Sequence, residues 1–327
     1  MDTNRVTGKR FLITGGAGFI GSHIVEYLLS NHARKVRVLD NLSNGSIHNI
    51  KDFLTNPSFE FIQGDIRDMD CCKRACSDID FVSHQAAVGS VPRSIKDPVT
   101  TNDVNINGYV NILTACRDLG IQNIVYASSS SVYGDSQKLP KTESEIGKPL
   151  SPYAVTKYVN ELYAEVFSKQ YGMNITGLRY FNVFGPRQDP NGMYAAVIPL
   201  FMKCAINNQA PQIFGDGMQT RDFTYVQNVV KANLLALLQE KNNNQAEIYN
   251  VAVGERISLL HLWELIADIS GCSVKPVHLP ERAGDIKDSL ASLTKAEQML
   301  QYSPDIKIKE GLELSYQYYL NKSLSDN

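Results

Sequence analysis

A tyrosine and a lysine spaced for acid–base chemistry stand at Tyr153 and Lys157. Side chains four residues apart share one face of a helix, so an ammonium group would lie beside a phenol. A free tyrosine has a pKa of about 10, which is too high for a base at neutral pH. A neighbouring positive charge favours the phenolate and lowers that pKa. The pair predicts a general base, although the same spacing also occurs in pairs on protein surfaces.

Four consecutive hydroxyl side chains, Ser128 to Ser131, follow the apolar run that begins at Ile124. Ligands of α/β proteins bind at the carboxyl ends of strands, where these hydroxyls would lie. Ser129 comes 24 residues before Tyr153. The serines could be turn residues alone, but together with the tyrosine and lysine they predict a catalytic site.

A glycine-rich segment follows a second apolar run, which begins at Phe11. Gly16, Gly18 and Gly21 fit the spacing G-x-G-x-x-G. With Gly15 in place of Gly16, the same segment fits G-x-x-G-x-x-G. Glycines allow a tight turn and a close approach of the backbone to a pyrophosphate at the N-terminus of the next helix. The spacing alone also fits an ordinary turn, but the strand before it and the amphipathic helix after it predict a dinucleotide site.

An acid, Asp40, stands nineteen residues beyond Gly21, at the end of the next predicted strand. A carboxylate there accepts a hydrogen bond from a ribose 2′-hydroxyl and repels a 2′-phosphate. Positions 41–45 hold no arginine that would bind such a phosphate. The sequence therefore predicts NAD rather than NADP, and the positive nicotinamide ring would further favour the phenolate. Asp65 and Ile66 follow a third strand and could contact the adenine or form an ordinary solvated strand end.

The elements that must position these residues alternate along the first part of the chain. We predict strands at Arg10–Thr14, Lys35–Asp40, Phe59–Gly64, Phe81–His84, Ile124–Ser128 and Ile175–Tyr180. We predict helices at about 21–31, 101–119 and 153–171. This alternation is typical of βαβ units with right-handed crossovers, so we predict an α/β fold with a Rossmann-type doubly wound parallel sheet.

The alternation stops after about residue 182, where glycine and proline mark turns. A helical pattern returns over 222–238, and a strand at Glu247–Ala252 is expected to rejoin the sheet. Residues from about 256 to the end predict short helices and a strand.

We therefore predict two domains. The first is an NAD-binding Rossmann domain over 1–181, rejoined by about 222–253. The second is a smaller C-terminal α/β substrate lobe made of 182–221 and 254–327, which would form the far wall of a cleft.

The composition is that of a globular protein, since 43% of the 327 residues are hydrophobic and 20% are charged. The formal net charge of -2 provides no broad positive field for nucleic acid or anionic lipid. No apolar stretch reaches the roughly 20 residues of a membrane helix. No cleavable signal is predicted, so we expect a cytoplasmic protein. The six cysteines show neither a C-x-x-C pair nor a zinc spacing, and no metal site is predicted.

Four segments together resemble the extended short-chain dehydrogenases. They are Thr14-Gly-Gly-Ala-Gly-Phe-Ile-Gly21, the serine run, Ser151-Pro-Tyr-Ala-Val-Thr-Lys157 and Arg179-Tyr-Phe-Asn182. More narrowly, the chain resembles the UDP-N-acetylglucosamine 4-epimerases over essentially its whole length. The resemblance implies the same fold, tightly bound NAD, a UDP-sugar substrate and epimerisation at C4.

The resemblance assigns catalysis to Ser129, Tyr153 and Lys157. Tyr153 would take the proton of the sugar O4, Lys157 would tune this base and hold the nicotinamide ribose, and Ser129 would bond to O4. The C4 hydride would pass to NAD⁺, the 4-keto sugar would turn over, and the hydride would return to its opposite face. Cofactor and keto intermediate would stay bound, so no net redox change is expected.

The resemblance also implies a set of ligand contacts. Cofactor contacts are implied at Gly15, Gly18, Phe19, Ile20, Gly21, Asp40, Asn41, Asp65, Ile66, Gln85, Ala86, Ala87, Asn105, Ser128, Tyr153, Lys157, Tyr180 and Val183. Substrate contacts are implied at Gly89, Ser90, Ser129, Ser130, Tyr153, Asn182, Ala196, Val197, Arg221, Arg282, Asp285 and Ser289. Asn182, Arg221 and Arg282 match positions that contact the UDP diphosphate. Two arginines suit a diphosphate through forked, charge-assisted hydrogen bonds, although each could also be an ordinary surface residue.

Several features favour N-acetylated sugars. Relatives differ at the position seven residues after Arg282, where a bulky residue narrows the pocket beside C2 and a small one admits an N-acetyl group; this chain has Ser289. Segments 84–93 and 185–192 also resemble the acetamido-preferring group. At Ala196 the chain departs from the galactose type, which carries an asparagine there. We expect conversion of UDP-GlcNAc and UDP-GalNAc, with some activity on UDP-glucose and UDP-galactose.

Other functions compete with this interpretation. Dehydratases of this architecture carry Thr-Asp-Glu where this chain has Ser129-Ser130-Ser131, so the acids for water elimination are missing. A UDP-glucuronate 4-epimerase can share the serine segment, although it usually carries a threonine within the segment that matches 179–182. A non-catalytic nucleotide-sensing protein would have no use for an activated phenol.

The helices near 101–119 and 153–171 resemble those that form a four-helix dimer interface in relatives. We therefore predict a homodimer, with a monomer as the alternative.

Overall fold

The computed structural model describes residues 5–192, 195–239, 245–281 and 287–325. The strands in these ranges are β1 Arg10–Thr14, β2 Lys35–Asp40, β3 Phe59–Gln63, β4 Phe81–His84, β5 Asn123–Ser129, β6 Asn174–Tyr180, β7 Val183–Phe184, β8 Gln212–Phe214, β9 Thr220–Arg221, β10 Thr224–Tyr225, β11 Glu247–Val251, β12 Ile257–Ser258 and β13 Val277–Leu279. The α-helices are α1 Phe19–Ser30, α2 Met69–Cys76, α3 Val91–Lys96, α4 Pro98–Asn102, α5 Gly108–Asp118, α6 Pro152–Tyr171, α7 Val197–Ile206, α8 Val226–Leu237, α9 Leu259–Ser270, α10 Thr294–Leu300 and α11 Ile308–Ser325.

Seven strands form one parallel sheet in the order β3-β2-β1-β4-β5-β6-β11. The order reverses between β1 and β4, which opens a crevice at the carboxyl ends of these strands. Helices α1 and α8 cover one face, and α2, α5 and α6 lie on the other. The predicted doubly wound α/β fold is confirmed, and each of the six strands predicted in the first half begins and ends within one residue of the observed strand.

Strand β1 shows why the central strands are continuously apolar. Phe11, Leu12 and Ile13 are all fully buried, although successive side chains point to opposite faces of the sheet. A parallel sheet covered by helices on both sides leaves neither face to water. The polar residues of β1 and its neighbour β4 therefore come at their ends, where Thr14 Oγ1 lies 2.8 Å from His84 Nδ1.

The part of the chain after β6 builds a second apolar cluster from α7, α9 and α11. Phe201 stacks edge-on against Trp263 with their rings 5.6 Å apart, and Tyr319 donates a hydrogen bond to the Gln188 carbonyl oxygen at 2.6 Å. Strand β11 returns to the edge of the main sheet and pairs with β6, as expected. The expectation of only short helices after 256 is wrong for α11, which has 18 residues and buries one side in this cluster.

The helix predicted over 101–119 is interrupted. Helix α4 ends at Asn102, a π-helical turn covers Asp103–Asn107, and α5 follows. The wider turn places Asn105 inward, where it is 1% exposed. Periodicity could not show this break, because one extra residue per turn changes the helix only locally.

Helix α6 carries the tyrosine and the lysine and has strong boundaries. The Ser151 hydroxyl accepts a hydrogen bond from the Ala154 backbone N–H at 3.1 Å, and Pro152 occupies the first turn. Gly172 ends the helix with a φ of 69°. Among the described residues, no helix is long and apolar enough to cross a lipid bilayer.

Candidate active site

The glycine loop joins β1 to α1 and has no room for side chains. A Cβ on Gly15, whose φ is 67°, would lie 2.6 Å from the backbone nitrogen of Ala86. A Cβ on Gly21 would lie 2.2 Å from the carbonyl oxygen of Gly15. Gly18 caps α1, and Phe19 and Ile20 form its first turn. The loop thus presents bare backbone at a helix N-terminus, which suits a pyrophosphate.

A cavity lies against this loop and the carboxyl ends of the neighbouring strands. The predicted cofactor residues that line it are Gly15, Gly18, Asp40, Asn41, Asp65, Ile66, Gln85, Ala86 and Ala87. The carboxylate of Asp40, at the end of β2, accepts hydrogen bonds from the backbone N–H groups of Ala17 at 3.0 Å and Leu42 at 2.8 Å. Burial raises the pKa of Asp40, against the effect of these two donors. The cavity therefore brings the glycine loop and the predicted ribose ligand together.

Asp65 is held by its neighbours at the edge of the same cavity. Its carboxylate accepts Arg67 Nε at 3.0 Å, Arg67 Nη2 at 2.8 Å and Asn41 Nδ2 at 2.9 Å. The hydrogen bonds from Arg67 hold the pKa of Asp65 well below its usual range. Asp65 is thus an ionised group at the cavity wall.

Lys157 lies on α6 with its ammonium 5.7 Å from the centre of the Tyr153 ring. It donates a hydrogen bond to the carbonyl oxygen of Ala127 in β5 at 2.7 Å. The residue is 2% exposed, and burial lowers the pKa of Lys157 to about 8. The ammonium is therefore anchored to the strand end beside the tyrosine.

Ser129 ends β5 and caps the short 3₁₀ turn over Ser130–Tyr133. Its oxygen accepts hydrogen bonds from the Ser131 backbone N–H at 3.2 Å and the Ser131 hydroxyl at 3.0 Å. A hydroxyl that accepts two hydrogen bonds still has its own proton to donate. Ser129 can therefore donate to an oxygen held beside it.

The pKa of Tyr153 differs in direction from the expectation. Burial raises it, and the hydrogen bond with the Ser129 hydroxyl lowers it by less. The sequence analysis counted the nearby positive charges but not the desolvation of the phenol, which disfavours the phenolate. Among the protein's own groups, removal of the phenol from water is the larger effect.

Asn105 connects the cavity wall to α6. Its side-chain oxygen accepts the Val88 backbone N–H at 2.8 Å, and its amide donates to the Val88 carbonyl oxygen at 3.1 Å. The same amide donates to the Thr156 hydroxyl at 3.1 Å, one residue before Lys157. Asn105 thus joins the cavity wall at Val88 to helix α6 at Thr156.

Two further predicted cofactor residues, Ser128 and Tyr180, point their polar groups into the protein, and a third, Val183, is apolar. Ser128 is 2% exposed and donates to Glu161 at 2.6 Å. The Tyr180 hydroxyl donates to Gln85 Oε1 at 3.1 Å and accepts from Asn233. Val183 begins β7 and is half-buried.

The segment around Arg221 brings together two of the three predicted diphosphate residues, Asn182 and Arg221. Asn182, which has a φ of 34°, donates to the Asp222 carbonyl oxygen at 2.9 Å. Arg221 Nη1 donates to the carbonyl oxygens of Thr220 at 2.9 Å and Lys287 at 3.3 Å. The Ser289 backbone N–H donates to the Thr220 carbonyl oxygen at 3.1 Å. Three distant parts of the chain therefore meet here.

The remaining predicted substrate residues lie on loops and helix starts. Gly89 and Ser130 are half-buried, and Ser90 caps α3 with a φ of 88°. Ala196 is exposed, and Val197 begins α7. Arg282 and Asp285 lie outside the described residues.

The comparisons with known proteins agree on a family. The model of the NAD dependent epimerase/dehydratase family matches residues 11–252. The chain belongs to this family. NAD is therefore its cofactor, and the bare glycine backbone and the buried Asp40 fit the pyrophosphate and the ribose of that molecule.

Three members of this epimerase/dehydratase family show how the relatives differ. A putative UDP-glucose 4-epimerase of Methanocaldococcus jannaschii is 43% identical over 92% of this chain and 95% of its own length. The UDP-N-acetylglucosamine 4-epimerase of Methanobrevibacter ruminantium M1, solved with UDP-N-acetylmuramic acid, is 39% identical with a TM-score of 0.90, over 97% of this chain and 99% of the other. The UDP-glucuronic acid 4-epimerase of Bacillus cereus, solved with UDP-glucuronic acid and NAD, is 36% identical with a TM-score of 0.88, over 96% and 99%.

A buried acid that was not predicted lies next to Arg221. Asp222 is fully buried, and its carboxylate accepts the backbone N–H groups of Val253 at 3.1 Å, Gly254 at 3.1 Å and Ala291 at 3.3 Å. Burial raises the pKa of Asp222 to about 7, against these three donors. The signal available in the sequence for this buried acid was its position, directly between Arg221 and the apolar residues that follow.

Proposed function

We propose that the protein is an NAD-dependent UDP-sugar 4-epimerase whose substrate pair is UDP-N-acetylglucosamine and UDP-N-acetylgalactosamine. The observation that carries the proposal is the meeting of Ser129, Tyr153 and Lys157 at the carboxyl end of β5. Bound NAD supplies a reversible hydride acceptor, which is the chemistry that inversion at C4 needs.

The three side chains have complementary roles in this proposal. Tyr153 takes the proton from the sugar O4 and returns it later. The Ser129 hydroxyl donates a hydrogen bond to the same oxygen and holds it in place. Lys157, fixed by the Ala127 carbonyl, favours the phenolate by its charge and offers its remaining N–H groups to the nicotinamide ribose.

The diphosphate would lie against Asn182, Arg221 and Arg282, since an arginine guanidinium forms forked hydrogen bonds with phosphate oxygens. Residues 1–181 with 222–253 would bind NAD, and 182–221 with 254–327 would bind the UDP-sugar. The division follows from the sequence prediction, and the apolar cluster of α7, α9 and α11, which meets the NAD-binding part at Phe223, Tyr225 and Val226, supports it.

The N-acetyl preference rests on the small side chain at Ser289. This residue lies beside the Arg221 segment, where its backbone N–H bonds to Thr220. A small side chain leaves room for an acetamido group at C2. The similarity to the enzyme of Methanobrevibacter ruminantium M1 supports the same choice.

UDP-glucuronate is the second candidate substrate, because the enzyme of Bacillus cereus that acts on it is nearly as similar. A carboxylate at C5 would need a positive or hydrogen-bonding group that UDP-GlcNAc does not need.

The deciding experiment is incubation of the purified protein with UDP-GlcNAc, UDP-glucose and UDP-glucuronate in separate reactions without added NAD. We expect UDP-GalNAc as product by anion-exchange chromatography, at a higher rate than UDP-galactose from UDP-glucose. Tyr153→Phe should lower kcat by roughly 10²- to 10⁴-fold, the usual contribution of general acid–base catalysis, while bound NAD is retained. Conversion of UDP-glucuronate alone would overturn the proposed substrate, and conversion of none, even with NAD supplied, would overturn the function.

We also propose a homodimer, for which the exposed apolar side chains of α6 are the support. Val155, Leu162 and Val166 are 46%, 45% and 53% exposed, and Ile95 of α3 and Val99 of α4, two helices that pack against α6, are 63% and 77% exposed. Such residues on a helix surface suit a second copy of the same helix. Light scattering during size-exclusion chromatography should give twice the monomer mass of 36.4 kDa.

A further inference from the structure

Beneath the catalytic residues lies a buried ion pair that the sequence analysis did not identify. Glu161 follows Lys157 by four residues on α6, so the two lie on neighbouring turns of one helix face. Arg179 lies near the end of β6 and is the direct neighbour of Ser128 in the register of β5 and β6. The side chains of Arg179 and Glu161 are 3% and 7% exposed.

The contacts of Glu161 use both of its oxygens. Oε1 accepts the Ser128 hydroxyl at 2.6 Å and Arg179 Nε at 2.9 Å, and Oε2 accepts Arg179 Nη2 at 2.8 Å. The guanidinium also donates to the Glu143 carbonyl oxygen at 3.1 Å and lies over the Tyr133 ring at 4.9 Å. A two-pronged contact of this kind allows very little sliding or rotation of one element against the other.

Stability alone is a weak reason for such a pair. Two buried charges lose their hydration, and well-packed apolar side chains of similar size often stabilise a fold as much or more. The position of the pair suggests another reason. Two consecutive residues of β5 are each tied to α6. The carbonyl oxygen of Ala127 accepts a hydrogen bond from Lys157, and the hydroxyl of Ser128 donates one to Glu161. The next residue of the strand is Ser129, which faces Tyr153.

We infer that Glu161 and Arg179 are positioning residues that set the Ser129 hydroxyl against the Tyr153 phenol by locking α6 to the ends of β5 and β6. This inference rests on the proposed function, because it concerns the distance between two groups that act on the same sugar oxygen. A misplacement of about 1 Å at reacting groups can lower a rate by about 10²-fold.

The test separates positioning from stability with the double variant Glu161→Met and Arg179→Met. The double variant removes both charges, so no unpaired charge is left buried. We expect a urea midpoint no lower than that of the wild type and unchanged KM and bound NAD. We expect kcat per bound NAD to fall by about 10²-fold, with a larger isotope effect when the sugar carries deuterium at C4. A kcat equal to that of the wild type would overturn the inference, because the pair would then only fill the core.

A control is the partly buried ion pair of Arg37 and Glu60 between β2 and β3. The side chains of Arg37 and Glu60 are 7% and 40% exposed, and Arg37 Nε donates to Glu60 at 2.9 Å. The double variant Arg37→Met and Glu60→Met should leave kcat unchanged. An equal loss of kcat in this control would overturn the inference, since any removed ion pair would then have the same effect.

Ser128→Ala decides the matter if the double variant does not fold. It removes the hydroxyl that ties β5, the strand of Ser129, to Glu161, while the ion pair still joins α6 to β6. We expect a lower kcat at unchanged KM and bound NAD, and a wild-type kcat would overturn the inference. A wild-type protein that converts no UDP-sugar would contradict the proposed function, whereas an active wild type with an equally active Ser128→Ala variant would contradict only the positioning role.

Discussion

The two sides of the site are built in different ways. On the cofactor side, the glycine loop is one continuous segment between β1 and α1, and Asp40 ends the adjacent strand. On the proposed substrate side, Asn182, Arg221 and Ser289 come from three separate parts of the chain, and each donates a hydrogen bond to a backbone carbonyl oxygen of residue 220 or 222. The dinucleotide site therefore depends on local backbone shape, whereas the proposed sugar site depends on how distant segments are held together.

The largest effect should come from Gly21→Ala on the cofactor side. The new Cβ would lie 2.2 Å from the Gly15 carbonyl oxygen, so the loop must move. We expect loss of most bound NAD, measured by the absorbance of the purified protein and by calorimetric titration. Gly18→Ala, whose Cβ would lie 3.1 Å from the same oxygen, should have a smaller effect.

Gly192→Ala serves as the control for the loop variants, because its Cβ would be 3.6 Å from the nearest side-chain atom. It should keep the NAD content of the wild type. Equal NAD content in Gly21→Ala and Gly192→Ala would contradict the importance of the bare backbone.

Arg221→Ala should produce a smaller loss that is confined to the substrate side. A hydrogen bond to a charged group contributes about 1.5–3 kcal/mol, so UDP should bind roughly 10- to 100-fold more weakly. Calorimetric titration with UDP measures this, and bound NAD should not change. Arg221→Lys keeps the positive charge but loses the forked hydrogen bonds, so its affinity for UDP should lie between those of the wild type and Arg221→Ala. A loss of NAD that matches the loss of UDP affinity would mean that the two sides are not separable.

The last effect concerns stability rather than ligand binding and involves Asp222, the acid that ties Val253, Gly254 and Ala291 together. Burial raises the pKa of its carboxyl from 3.8 to about 7. A raised pKa means that the fold holds the proton more tightly than the unfolded chain, so the wild type loses stability as the pH rises between these values. Asp222→Asn cannot ionise. Its free energy of unfolding should therefore rise relative to that of the wild type as the pH increases from 3.8 to about 7.

Urea denaturation of both proteins at several pH values measures that difference. A difference in the free energy of unfolding that is the same at every pH reflects the replacement of a carboxylate oxygen by the amide group. Only the part that varies with pH tests the buried carboxyl. A difference that does not vary with pH would show that the three backbone donors keep Asp222 ionised.

The cofactor side was largely predictable from the sequence, because its signals are local. A strand, a glycine turn and a helix follow one another without interruption, and the doubly wound sheet was predicted with strand ends within one residue. The π-helical turn at Asn105 and the length of α11 were not predicted. Both depend on contacts with segments distant in the chain, for which hydrophobic periodicity carries no signal.

Motif spacing and residue type are properties of short segments, so the sequence was enough to identify the family and the cofactor and to predict the three residues proposed for catalysis. The direction in which the pKa of Tyr153 shifts follows only from the folded structure, since burial depends on everything packed around the phenol. The folded structure also decided that Glu161 meets Arg179 and Ser128, which lie 18 and 33 residues away. Such contacts follow from the register of strands and helices after folding, and no local pattern in the chain encodes them.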